Sequence, residues 1–340
     1  MAYSDTWKAH RMAALAVAVT FVFMLLCLGV VEVVGDVAAG KALEGQAADG
    51  GSTEVVEVPD EPFYLLLIGS DSRKGTALYT GKANEHSQVD QHSDIMTLMR
   101  VDPSTPTITL VTIPRDTQLE GSSGKINEAL AADNDPEAVV SAAERLTGVD
   151  IPYYAMVTFI GFEDLVDDLG GLTVDVPQTV TVPDPSDAQD VKVKAGEDKH
   201  LDGSEALVVA RARKEYGADQ EALRQVNVRN LETAIIQKGI AMVADSEDGA
   251  SAADSLVALL LSNAQSNMDS AVMSGLIERI AQHADLLTIY SCTGPYSGGE
   301  NDDGLWVVPE DPETWGALMA AVDSGQDPSG VVQVPEFEGK

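Results

Sequence analysis

Cysteine and basic residues are both scarce in this chain of 340 residues. One of the two cysteines, Cys27, lies in an apolar run near the N-terminus, and the other is Cys292. An intrachain disulfide is therefore excluded outside that run, so folding there depends on a hydrophobic core. Lys and Arg total 21 against 55 Asp and Glu, which gives a formal net charge of −34. This acidity argues against a nucleic-acid partner, because phosphate contacts require a broad basic face.

The N-terminal apolar run covers residues 12–31 and carries no charge. About 20 residues at roughly 1.5 Å each can cross the hydrocarbon core of a bilayer, so we predict a transmembrane anchor over residues 12–34. Basic residues precede the run and acidic residues follow it, which places residues 1–11 in the cytoplasm and the remainder outside the cell. A cleaved signal peptide is the alternative, but the run is longer than a usual signal core.

From residue 62 onward, short β-branched runs alternate with helical patterns. The predicted strands are Phe63–Ile68, Ile95–Val101, Thr107–Ile113, Tyr153–Phe159 and Leu172–Val176. The predicted helices are Pro136–Leu146, Phe162–Leu169, Gln220–Ala244, Ser251–Asn263 and Ser270–His283. This mixture predicts a single external α/β domain over residues 62–325, with a central mixed β-sheet sandwiched by helices. An acidic, flexible stalk over residues 35–61 is expected before it, and a loose tail over 326–340 after it.

Positive charge is concentrated in residues 201–229, although it is rare elsewhere. The basic residues of this window are Arg211, Arg213, Lys214, Arg224 and Arg229. We expect residues 206–213 to leave a short helix as an extended segment, so that Arg211 and Arg213 share a face. Asp219 is the predicted N-cap of the next helix, which carries Arg224. Guanidinium groups placed in this way can bind a phosphate or pyrophosphate. The alternative is an internal ion-pair hub with Glu205, Glu215 and Glu221.

Polar clusters lie at the ends of three predicted strands. Residues 69–73 (GSDSR) follow the first strand, residues 92–94 (HSD) precede the second, and residues 113–117 (IPRDT) follow the third. In open α/β sheets, ligands gather beyond the carboxyl ends of strands, so these carboxylates and arginines are well placed for chemistry. Taken singly, each cluster can also be a simple turn or cap.

Together these segments resemble the LytR-CpsA-Psr family of bacterial cell-envelope proteins. The resemblance runs from about residue 63 to 322 and rests on the ordered series LLLIGSDSR, HSDIMTLMRVDP, LVTIPRDT, KINEA, HLDGSEAL, ARAR and LRQ. It implies a membrane-anchored phosphotransferase that requires Mg²⁺. Such an enzyme moves a glycopolymer, for example a teichoic acid or capsular polysaccharide, from a polyprenyl pyrophosphate carrier to peptidoglycan. The implied location is the cell membrane, with the domain facing outward.

The resemblance also implies roles for individual residues. Asp71 and Asp94 match the carboxylates that hold Mg²⁺. The residues expected around the pyrophosphate are Arg73, Arg115, Arg211, Arg213, Arg224 and Gln225. Catalysis is expected to depend on Asp71, Asp94, Arg115, Arg211 and Arg213. The carrier lipid needs an apolar slot, for which residues 159–169 and 256–261 are candidates, although core packing is the commoner role of any single apolar residue.

Two positions depart from the family pattern. His92 stands where an arginine is usual, two residues before Asp94. Glu221 replaces the first arginine of Gly-Arg-x-x-Arg-Gln and lies three residues before Arg224, on the same helical face. Its carboxylate is expected either to pair with Arg224 and weaken the anion site or to turn aside. A pyrophosphohydrolase acting on the same lipid, or a non-catalytic binder of polyprenyl phosphate lipids, is therefore an alternative function.

Overall fold

The computed structural model describes residues 57–72, 91–131, 134–185 and 188–333. The predicted anchor, most of the predicted stalk, Arg73 and residues 334–340 of the tail lie outside these ranges. Within them, none of the helices combines the length and apolar character needed to cross a membrane.

The described residues form thirteen strands and seven α-helices. The strands are β1 (Phe63–Ser70), β2 (Ser93–Asp102), β3 (Thr107–Thr112), β4 (Thr117–Gln118), β5 (Tyr153–Val157), β6 (Leu172–Val176), β7 (Val180–Pro183), β8 (Asp190–Val193), β9 (Gly196–Leu201), β10 (Ala264–Ser266), β11 (Thr288–Thr293), β12 (Gly299–Glu300) and β13 (Trp306–Pro309). The helices are α1 (Pro136–Thr147), α2 (Phe159–Asp168), α3 (Gly203–Arg211), α4 (Gln220–Ala244), α5 (Gly249–Asn263), α6 (Ser270–Ala281) and α7 (Pro312–Asp323). Short 3₁₀ helices cover Ile126–Leu130, Lys214–Asp219 and Ala284–Leu286.

Six strands form a central mixed sheet in the order β10-β5-β1-β2-β3-β11. Strand β2 is antiparallel to both β1 and β3, whereas β5 runs parallel to β1 and β11 runs parallel to β3. As a result, β1 and β3 end at the same edge of the sheet, where β2 begins. This edge therefore collects the residues that follow β1, precede β2 and follow β3.

Side chains that alternate along β1 pack on opposite faces of the sheet. Tyr64 and Leu66 lie in a buried cluster with Val139 of α1 and Leu318 of α7. Leu65 points to the other face and packs with Leu276 of α6. Helices therefore cover both faces, which confirms the predicted mixed sheet sandwiched by helices.

Two local predictions were wrong. The strand predicted to reach Phe159 ends at Val157, because Thr158 accepts a hydrogen bond from the Gly161 amide at 3.2 Å and starts α2. The segment before Arg213 was predicted to be extended, but α3 continues to Arg211. A capping box between Asp202 and Glu205 stabilises the start of α3. Arg211 and Arg213 consequently do not share one face of an extended segment.

Candidate functional site

A cavity of about 530 Å³ runs along one face of the sheet, beneath helices α2, α4, α5 and α6. Apolar side chains from all of these elements line most of it, including Phe162, Leu165, Leu256 and Leu260. Both segments proposed for a lipid slot thus contribute to its wall. Seven charged residues line the cavity in the described part of the chain. Six of them form a group that we call the polar end, and the seventh is Glu232. The residues of the polar end are Asp71, Asp94, Arg115, Arg211, Arg213 and Arg224.

The pairing of β1 with β2 brings Asp71 and Asp94 to the polar end. Ser70 and Ser93 are register partners, so Asp71 and Asp94 flank the same point of the ladder. The Asp71 amide donates to the His92 carbonyl at 3.1 Å, and the His92 amide donates to Asp71 Oδ1 at 2.7 Å. His92 Nδ1 also lies 3.8 Å from Asp71 Oδ2. His92 therefore orients the first predicted metal carboxylate.

Arg115 follows β3 and forms a short ion pair with Asp94. Its Nε lies 3.8 Å from Asp116 Oδ2, and Lys125 Nζ donates to the other Asp116 oxygen at 2.7 Å. Asp116 and Lys125 thus position the Arg115 guanidinium. Sequence reasoning missed both residues as functional, although they stand inside the quoted segments LVTIPRDT and KINEA.

Glu221 is bound by two of the predicted pyrophosphate arginines. Arg224 donates to it through Nε at 3.2 Å and Nη2 at 2.6 Å, and the Arg213 Nε lies 3.1 Å from Glu221 Oε2. Burial opposes ionisation, but the fields of Arg224, Arg213 and Arg115 outweigh it and hold the pKa of Glu221 below its usual value. The sequence left open whether Glu221 pairs with Arg224 or turns aside, and in the structure it pairs with Arg224. Glu205 instead caps α3.

Two further contacts fix the arginines of the polar end. Arg224 Nη2 donates to the Asp94 carbonyl at 3.0 Å, which joins α4 to the start of β2. Arg211 donates to the Pro183 carbonyl at 2.7 Å, and its guanidinium carbon lies 4.9 Å from the centre of the Phe159 ring. A cation–π contact of this kind orients the guanidinium.

Asp71 and Asp94 are the two carboxylates among the residues of the polar end. Two carboxylates together with substrate phosphate oxygens are a typical ligand set for Mg²⁺. The described residues contain no group of three or more His, Cys, Asp or Glu side chains able to hold an ion.

Residues 33–308 of the chain match the LytR_cpsA_psr family. The protein belongs to this family. The polyisoprenyl-teichoic acid–peptidoglycan teichoic acid transferase TagV of Bacillus subtilis is 32% identical over 169 residues, which make up 48% of this chain and 40% of TagV. The corresponding transferase TagU of Bacillus cereus is 34% identical over 203 residues, or 58% of this chain and 60% of TagU. The chain thus spans about half the length of these relatives.

The fold is also that of the LytR_cpsA_psr family. The crystal structure of B. subtilis TagV superposes with a TM-score of 0.61 at 23% sequence identity, covering 79% of this chain and 99% of that structure. A likeness at this identity establishes the common architecture. Roles of single residues depend instead on the contacts described above.

Most of the site residues expected from the family resemblance lie at the polar end, but Gln225 does not. Its side chain is buried and accepts a hydrogen bond from Thr293 of β11 at 2.9 Å, and it is absent from the cavity lining. Arg73 lies outside the described residues, so its role stays a prediction. The remaining residues expected at the site all line the cavity: Asp71, Asp94, Arg115, Arg211, Arg213 and Arg224.

The charged lining residue outside the polar end is Glu232 of α4. Sequence reasoning missed it, although helical spacing from Val228 and Ile236 places it on an apolar face. Burial raises its pKa to about 7, against opposing effects of Thr97 and Arg229. The apolar part of the cavity thus contains a carboxyl group that changes its protonation state near neutral pH.

Proposed function

We propose that this protein is a phosphotransferase that moves a glycopolymer from a polyprenyl pyrophosphate carrier to peptidoglycan. The observation that carries the proposal is the continuity of a long apolar cavity with an arginine-rich polar end. A polyprenyl chain is apolar and its pyrophosphate is anionic, so the two parts of the ligand match the two parts of the cavity. The names of TagV and TagU support a teichoic acid or related polymer as the group transferred.

The arginines of the polar end would bind and neutralise the phosphate oxygens. Phosphoryl transfer depends mainly on positioning and on charge stabilisation, so no protein nucleophile is needed. A hydroxyl of the acceptor sugar attacks the phosphorus that bears the glycopolymer. The bond from that phosphorus to the bridging oxygen breaks, and polyprenyl phosphate leaves. Asp71 and Asp94 are the candidates to take the hydroxyl proton.

Asp71 and Asp94 fit a Mg²⁺ site by their chemistry and by their place at one edge of the sheet. A bound Mg²⁺ would neutralise charge on the phosphate oxygens. Arg115 pairs with Asp94 and would hold its carboxylate toward the cavity. The anchor predicted over residues 12–34 would keep the domain on the outer face of the cell membrane, where a lipid-linked donor resides.

The test is a transfer assay on the full chain with Mg²⁺, a synthetic polyprenyl pyrophosphoryl saccharide and a peptidoglycan oligomer, followed by mass spectrometry. We expect a glycan–phosphate adduct that falls at least about 100-fold in Asp94→Asn and Arg115→Ala. Arg145→Ala, at an exposed position of α1, is the matched control and should retain the activity. If saccharide phosphate is released at the same rate with and without the peptidoglycan oligomer, the protein is a pyrophosphohydrolase instead.

A second candidate, a non-catalytic binder, is favoured by one observation. Glu221 accepts hydrogen bonds from Arg224 and lies within ion-pair distance of Arg213, so it neutralises positive charge that an anionic donor would otherwise meet. In the same assay, donor binding without adduct or released phosphate would support the binder and contradict the transferase.

A further inference from the structure

Glu232 lies in the wall of the cavity, beyond the polar end. It follows Arg224 by about two turns of α4, or roughly 12 Å along the helix. It lies beside Thr97 of β2, which is three residues into the sheet from Asp94. Within the described part of the chain, the other charged residues that line the cavity all belong to the polar end. Glu232 is therefore a single carboxyl group among apolar lining residues.

The carboxyl group of Glu232 has little compensation. Its Oε2 is buried and has no hydrogen-bond partner among the described residues, and the nearby Thr97 and Arg229 offset the effect of burial on its pKa only in part. Arg229, one turn earlier, instead donates to the Thr112 hydroxyl at 2.7 Å. An ionised carboxylate without a hydrogen-bond partner is strongly disfavoured in an apolar environment.

Among the described residues, the groups that act on the Glu232 carboxyl are Thr97 and Arg229. Arg229 on α4 is the charged neighbour, and Cys292 on β11 faces Arg229 as a thiol whose pKa burial raises to about 12. Strand β2 contributes the neutral Thr97. The residues that β1, β5, α2, α5 and α6 contribute to the cavity lining are mostly apolar, as illustrated by Leu65, Ala155, Leu165, Leu256 and Ile277.

We propose that Glu232 couples loading of the cavity to proton uptake: an apolar occupant binds more tightly when this side chain is protonated than when it is ionised. An apolar chain lying over an ionised carboxylate removes water and supplies no hydrogen bond, whereas a neutral carboxyl group loses far less. By linkage, an occupant that favours the protonated form must also promote protonation. The inference rests on the proposed function in that the occupant is taken to be the isoprenoid part of the donor.

Consistent with this proposal, burial raises the pKa of Glu232 to about 7. Ionisation would therefore occur as the pH rises from about 6 to 8, and isoprenoid affinity should fall over that range. Below about pH 6 the carboxyl group is already protonated, and little further change is expected.

Farnesyl pyrophosphate and methyl pyrophosphate are suitable probes, because both are pyrophosphate monoesters with the same ionisable oxygens and they differ in the isoprenoid tail. Calorimetric titration of the full chain in a neutral detergent at pH 6 and pH 8 gives the affinity of each. The pH dependence of the head group is common to both probes, so the ratio of the two affinities reports the contribution of the tail alone. We expect this ratio to fall at least about fivefold from pH 6 to pH 8 in the wild type. In Glu232→Gln and Glu232→Leu it should stay constant.

Glu247→Gln, at an exposed position beyond the end of α4, is the matched control and should behave as the wild type. An equal pH dependence of the ratio in the wild type and both Glu232 variants would overturn the inference while leaving the proposed function intact. Equal affinity for the two probes in every protein would show that the cavity does not take an isoprenoid, and would overturn both. Proton-linked binding by a chain that transfers no glycan would retain the inference and contradict the transferase.

Discussion

Glu221 and Glu232 are two carboxylates on one helix with opposite surroundings. About three turns of α4 separate them, so they lie on nearly the same helical face. Glu221 receives hydrogen bonds from Arg224, and its pKa is held below the usual value. Glu232 has an oxygen without a hydrogen-bond partner among the described residues, and burial raises its pKa to about 7. The same residue type is thus an anion held by the arginines of the polar end and an acid that titrates near neutral pH in the apolar wall.

The difference between the two carboxylates matches the two parts of the proposed ligand. At the polar end, the arginines outnumber the carboxylates that line the cavity, and Glu221 takes up part of their hydrogen-bonding capacity. In the apolar wall, a charge would oppose an isoprenoid chain, and burial raises the pKa of Glu232 so that its carboxyl group titrates near neutral pH. The pKa of a glutamate on α4 therefore depends on the neighbouring residues at its position and not on residue type alone.

The largest expected effect comes from removing the partner of Glu221. Arg224 is buried and binds both the Glu221 carboxylate and the Asp94 carbonyl. Arg224→Ala leaves a largely buried carboxylate with only Arg213, so we expect the free energy of unfolding to fall by about 3 kcal/mol. Urea denaturation at pH 7 measures the change, with Arg145→Ala as a surface control that should shift it by less than about 0.5 kcal/mol.

A double variant identifies the source of this loss. Adding Glu221→Ala to Arg224→Ala removes the unpaired carboxylate and should recover part of the stability. If the double variant is as unstable as the sum of the single variants, the loss arises from packing or from the bond to Asp94, and the carboxylate is not its cause.

The two carboxylates should also give opposite dependences of stability on pH. Glu232 has a folded pKa of about 7, above its unfolded value, so the folded state holds more protons between these values and stability falls as the pH rises through this window. Glu221 has a lowered folded pKa, so its contribution is present above its unfolded pKa and is lost as the pH falls through the folded value.

Glu232→Gln should remove the first of these dependences. Relative to the wild type, its free energy of unfolding should rise by roughly 2 to 3 kcal/mol between pH 4.5 and pH 8, measured by urea denaturation at several pH values. Glu163, whose pKa burial raises to about 8, has the same sign but is present in both proteins and cancels. Parallel stability curves for the two proteins would contradict the assignment.

Much of the fold could be predicted from local patterns. Helix α4 was predicted with its observed ends, because its length and periodicity give a long helical signal. The paired strands β7 and β8 were missed, since strands of four residues acquire their identity from tertiary pairing. Helix α7 was also missed, although Asp311 before Pro312 is a recognisable start signal.

The polar end was more predictable than the apolar wall for a physical reason. Asp71, Asp94 and Arg115 lie directly beside strand ends, so the sheet register alone brings them together. Arg211 reaches the same place through stacking on Phe159, a contact between segments distant in sequence. Glu232 carries no motif, and its unusual environment arises only when the sheet packs against α4.

The smallest effect expected here concerns the anion affinity of the polar end. Glu221→Gln removes a negative charge next to Arg213 and Arg224 and keeps an amide that can still accept a hydrogen bond from Arg224. We expect affinity for inorganic pyrophosphate to rise about tenfold, measured by calorimetric titration of the full chain. Glu247→Gln should leave the affinity unchanged, and so should Glu232→Gln, because its side chain lies about three turns further along α4. An unaltered affinity in Glu221→Gln would mean that pyrophosphate binds through Arg115 and Arg211, with Glu221 serving only to hold Arg224 against β2.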